Sequence, residues 1–100
     1  MSPAELLQKN IMIVVEKRNW GPKLPNSISY SNNTTFSEIF IYLDEFSLVK
    51  KNLTNGTSKQ QIMNWMLEVI ENEIGFNKLK GGKIHFKSTI GVPPIFTKSY

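Results

Sequence analysis

Apolar residues at Ala4, Leu7, Ile11, Val14 and Val15 fall on one face at helical spacing, so the chain is expected to open with a helix. Ser2 can cap it, Pro3 suits the first helical position, and Glu5 fits a capping box with Ser2. Lys17 and Arg18 suit the negative end of the helix dipole, and Trp20-Gly21-Pro22 reads as a stop. A rival reading ends the helix near Asn10 and makes Ile11 to Val15 a buried strand. Pro22 and Pro25 mark a loop. Ile28 and Tyr30 alternate with serines, and Phe36, Phe40 and Tyr42 sit at even positions of a second β-rich run. The polar cluster Ser31 to Thr35 between these runs suggests a hairpin.

A third strand is expected over Phe46 to Lys51, with Asp44-Glu45 at the turn before it. A helix over Phe36 to Asn52 is the competing pattern, and the β-rich Ile39-Phe40-Ile41-Tyr42 argues against it. From residue 59 onward the period becomes helical. Ile62, Met63, Met66, Leu67, Val69, Ile70 and Ile74 share one arc, polar residues fill the other, and Gly75 fits as the terminator. Trp65 lies at the seam between the two faces. Ile84 and Phe86 then alternate with His85 and Lys87, a strand pattern, and Phe96 to Tyr100 reads as a short edge strand or a free tail.

The expected fold class is therefore α+β, in the order α-β-β-β-α, with two helices on one face of an antiparallel sheet. Residues 1–75 form the main unit, and residues 76–100 form a β-rich C-terminal extension packed on or appended to it. One hundred residues suit one core. Without cysteine the chain has no disulfides or thiolate metal sites, which fits an intracellular location in cytoplasm or nucleus. The longest apolar run, Ile11 to Val15, is too short to span a membrane. A formal charge of +4 leans toward anionic partners. Arg18 is the one arginine, so the cations serve as point charges on phosphates better than as bidentate readers of bases.

Several of these segments resemble the double-stranded-RNA-binding domain family over residues 3–74. Pro3-Ala4-Glu5-Leu6-Leu7-Gln8 is similar to its Pro-x-x-Leu-Leu-Gln opening, and Lys23-x-Pro25 with Ile28 and Tyr30 to its entry into the first strand. Phe36, Phe40 and Tyr42 look like its second strand, and Gly56-Thr57-Ser58-Lys59 looks like the start of its second helix. The resemblance implies a non-enzymatic module of an RNA-processing or RNA-associated protein, binding duplex RNA weakly, acting as a protein–protein adaptor, or both. Duplex RNA would be recognised by shape, through 2′-hydroxyls and phosphates rather than bases. By this mapping Gln8, with Lys9 beside it, forms one patch, Asn32 and Asn33 a second, and Ser58 and Lys59 a third. The family's Lys-Lys-x-Ala-Lys becomes Lys59-Gln60-Gln61-Ile62-Met63, so two of its phosphate-facing lysines are missing, at Gln60 and Met63, and Lys50, Lys51, Lys78 or Lys80 would have to compensate.

As an adaptor the chain would hold its partner through exposed Trp65, Phe96 or Tyr100, and homodimerisation stays open. The alternative from another class is a small inhibitor or immunity-type protein that binds a partner protein and no RNA. No pattern requires a cofactor or a metal. The catalytic reading, a basic nuclease built from His85, Lys87 and Lys98, rests on a lone histidine.

Overall fold

The computed structural model describes residues 2–21, 27–31 and 37–100. Phe36, the hairpin loop with Asn32 and Asn33, and Lys23 and Pro25 lie outside the described residues.

The first helix, α1, spans Pro3–Lys17 and buries the five apolar residues expected of it. The Glu5 backbone N–H donates to Ser2 Oγ at 3.1 Å, which caps the start. The stop comes one residue before the expected tryptophan. Asn19 adopts φ 55°, and the Asn19 and Trp20 N–H groups donate back to the Glu16 and Val15 carbonyls. This is a Schellman closure with asparagine in the left-handed position that only a few side chains tolerate. Trp20 then enters the core, 1% exposed.

Strands β1 (Ile28–Ser31) and β2 (Ser37–Tyr42) pair antiparallel, with Ile28 opposite Ile41 and Tyr30 opposite Ile39. A short 3₁₀ turn over Leu43–Glu45 follows. The third strand expected at Phe46 to Lys51 is instead helix α2, Ser47–Thr54. Its apolar residues explain why. Phe46, Val49 and Leu53 fall at i, i+3 and i+7, whereas a strand would point one lysine to each face. Asp44 and Glu45 just before it complement the positive end of the helix dipole. The Leu48 N–H donates to the Trp20 carbonyl at 2.9 Å, which draws the two chain segments together. Gly21 is required there, because a Cβ would stand 3.0 Å from the Ser47 backbone nitrogen.

Helix α3, Lys59–Ile74, buries Ile62, Met63, Met66, Leu67 and Ile70 and ends at Gly75. The corner between α2 and α3 accounts for the Gly-Thr-Ser part of the Gly-Thr-Ser-Lys sequence. Gly56, at φ 90°, closes α2 as Gly56 and Thr57 donate to the Leu53 and Asn52 carbonyls. Ser58 then opens α3 in a reciprocal capping box with Gln61.

A short helix, α4 (Phe76–Leu79), leads into β3 (Gly82–Lys87), and β4 (Phe96–Ser99) ends the chain. The sheet order is β1-β2-β3-β4. β3 runs parallel to β2, and β4 antiparallel to β3, so the sheet is mixed rather than wholly antiparallel. The helices between β2 and β3 supply the crossover that a parallel pair needs. The α+β class is as expected. The order is α-β-β-α-α-α-β-β, and residues 82–87 run through the middle of the sheet.

One hydrophobic cluster joins Ile28, Ile39, Ile41, Ile84 and Phe86 of the sheet to buried residues of all four helices. Glu73 of α3 ties this layer to the end of α1 by pairing with both Arg18 and Lys17. The Arg18 guanidinium first, and the Lys17 ammonium second, hold its carboxyl below the usual glutamate range. The folded protein therefore binds that proton more weakly than the unfolded chain. Its contribution is present above the ordinary glutamate range and is lost as pH falls through the lowered folded value. Glu73→Gln is expected to flatten the acid limb of a plot of melting temperature against pH, and an acid limb as steep as the parent's would contradict this. No described helix is long and apolar enough to cross a membrane.

Candidate functional site

Because side chains alternate along a strand, the residues between the core positions share the opposite face of the sheet. They are Ser29 and Ser31 on β1, Glu38, Phe40 and Tyr42 on β2, Lys83, His85 and Lys87 on β3, and Thr97 and Ser99 on β4. None of them belongs to the hydrophobic cluster beneath the helices.

Phe40 and His85 are direct register partners, and their rings stack at 4.8 Å between centroids with 15° between planes. Lys87 places Nζ 5.0 Å from the centroid of the Phe40 ring. The imidazole is held at one nitrogen and, among the described residues, buried without a hydrogen-bond partner at the other. Its Nδ1 lies 2.8 Å from Thr97 Oγ1, and Nε2 is buried, 3.5 Å from a Glu38 carboxylate oxygen. Tyr42 lies opposite Lys87, with its hydroxyl 3.0 Å from Ser29 Oγ. The result is a stacked aromatic pair whose imidazole is oriented by the Thr97 hydroxyl, with the Lys87 ammonium over the Phe40 ring.

The residues mapped from the duplex-RNA resemblance are placed elsewhere, and several are engaged inside the fold. Gln8 is half-buried and donates from Nε2 to the Ile28 carbonyl at 3.1 Å, tying α1 to β1. Ser58 is the α3 cap. Lys59 donates to Ser88 Oγ at 3.0 Å and lies 3.9 Å from an Asp44 carboxylate oxygen. Lys9, Lys50 and Lys51 are exposed, on α1 and α2.

Of the residues expected to hold a partner protein, Phe96 packs opposite Phe86 against the core. Tyr100 also packs there and donates its hydroxyl to Glu71 at 2.9 Å. Burial, reinforced by this bond to Glu71, pushes the Tyr100 hydroxyl well above the ordinary tyrosine range. Trp65 is 43% exposed. Its ring tilts against Trp20 at 5.4 Å, beside a groove of about 370 Å³ lined with Leu48 and Ile62. The trio His85, Lys87 and Lys98 is split across the sheet, since Lys98 points to the helix side and pairs with Glu71.

Sequence reasoning set only His85 and Lys87 on this face and did not join the other members, Glu38, Phe40 and Tyr42 among them, to the group. The missing signal was pairing. The alternation of β3 marks His85 and Lys87 as one face, but nothing local says that β2 lies beside β3 and in parallel. Comparison with family models, with curated proteins and with solved structures returns no match.

Proposed function

We propose that this chain is a non-enzymatic RNA-binding module that takes unpaired RNA on the face of the sheet turned away from the helices. The observation that carries the reading is the Phe40–His85 stack with Lys87 over the Phe40 ring. Single strands bind where aromatic rings offer stacking surfaces and nearby cations meet the backbone. The Lys87 contact with the ring is worth only about 0.5–1 kcal/mol at an accessible site. A base stacking there can displace the flexible lysine, which then swings onto the adjoining phosphate. Duplex binding needs separated patches free to reach 2′-hydroxyls and phosphates. Gln8, Ser58 and Lys59 already make contacts within the fold, which favours unpaired RNA as the ligand.

Anisotropy of a labelled single-stranded oligoribonucleotide, and of the same sequence annealed into a duplex, tests this over a range of salt. The single strand is expected to bind more tightly. Its log–log salt slope should be shallow, about −0.7 to −1.4, as one or two phosphates are neutralised. Tighter duplex binding that is lost on Lys50→Ala and Lys51→Ala would overturn the reading.

A further inference from the structure

On the far side of the molecule, α1 presents a second stripe. Leu6, Asn10, Ile13 and Lys17 fall at i, i+4, i+7 and i+11, along one line of the helix. Leu6 is 50% and Ile13 53% exposed, although the other face of α1 is fully buried. Two depressions lie between this stripe and the α3–α4 corner, of about 150 and 250 Å³, and both are lined by Asn10 and Lys78. The first reaches Ile13 and Ile74, and the second reaches Pro3, Leu6 and Lys80. Together they make one shallow groove with apolar points at both ends.

Its charge is one-sided. The acid that lines it, Glu73, is held by Arg18 and Lys17. Lys78 and Lys80, and Lys9 on the neighbouring flank of α1, are exposed and carry no ion pair among the described residues. Leu6 and Ile13 are about 10 Å apart along the helix axis, the spacing at which a second helix repeats a side chain at i and i+7. Exposed apolar positions framed by uncompensated cations point to a ligand that is apolar on one side and acidic on the other.

We propose that this groove docks an acidic amphipathic helix of a partner protein, with its apolar side chains seated at Leu6 and Ile13 and its carboxylates facing Lys78 and Lys80. The site is on the helical side and stands independently of the RNA reading.

The probe is a fluorescent peptide of about 14 residues with leucines at i and i+7 in a glutamate–alanine background. The control replaces every glutamate by lysine. The glutamate peptide is expected to bind the full chain saturably and less tightly as salt rises, with amide shifts at Leu6, Asn10, Ile13 and Lys78. Ile13→Glu and Lys78→Glu should each weaken it by about tenfold or more. Both residues are exposed, and circular dichroism matching the parent checks that each variant folds; Leu6→Ser repeats the apolar arm. Absence of binding by the glutamate peptide, equal binding of the lysine peptide, or insensitivity to these variants would overturn the proposal. So would self-association abolished by Ile13→Glu, or displacement of the peptide by RNA. Phe40→Ala should leave peptide binding unchanged and Ile13→Glu should leave RNA binding unchanged, so each reading fails on its own evidence.

Discussion

Phe40→Ala is expected to weaken binding of a single-stranded oligoribonucleotide by about 5- to 150-fold while leaving the protein folded. Stacking of one base on an aromatic ring is worth about 1–3 kcal/mol, and that range converts to this loss. The fold should survive because Phe40 lies outside the hydrophobic cluster. Its removal costs the stack on His85 and the contact with Lys87, both on the face away from the helices. Phe40→Tyr, which keeps the ring, should retain most of the affinity. Binding that is unchanged in Phe40→Ala would remove the stacked pair from the account.

A second large effect is expected on stability, from Phe86→Ala. Phe86 is fully buried in the middle of the sheet, opposite Ile41 of β2 on one side and Phe96 of β4 on the other. Truncating such a ring costs about 3–5 kcal/mol, a large share of the 5–15 kcal/mol that holds a domain of this size. With a urea slope of about 2 kcal/mol per molar, the unfolding midpoint should fall by roughly 2 M. Phe96→Ala, on the half-buried edge strand, should lower it by less than half as much. Equal effects at the two positions would contradict the central place of β3.

These two residues also mark what local sequence can and cannot specify. Helices α1 and α3 were legible because their signals are local: the Ser2 and Ser58 caps, the apolar arcs, and Gly75 as terminator. Strand β3 was legible from the alternation of Ile84 and Phe86 with His85 and Lys87. Helix α2 was misread because its eight residues give barely two turns in which to show a period, and Leu48 beside Val49 blurs the i, i+3, i+7 spacing of Phe46, Val49 and Leu53. The parallel pairing of β2 with β3 joins Ile39 to Ile84 across three helices, and nothing in either segment encodes it. The site follows the same rule. His85 and Lys87 were visible as one strand face, but Phe40 became their neighbour only through that long-range pairing. Gly56-Thr57-Ser58-Lys59 was noticed for the opposite reason: two helix ends meet there, and local capping chemistry accounts for every residue but the lysine, which binds Ser88 and lies near Asp44.

The most direct test of where RNA binds is the map of backbone amide shifts in ¹⁵N-labelled protein as an unpaired oligoribonucleotide is added. The account predicts changes concentrated at Phe40, Tyr42, His85, Lys87 and Thr97, with Lys50, Lys51 and the start of α3 unmoved. Changes centred instead on Lys50, Lys51 and Lys59, with the sheet face silent, would contradict it.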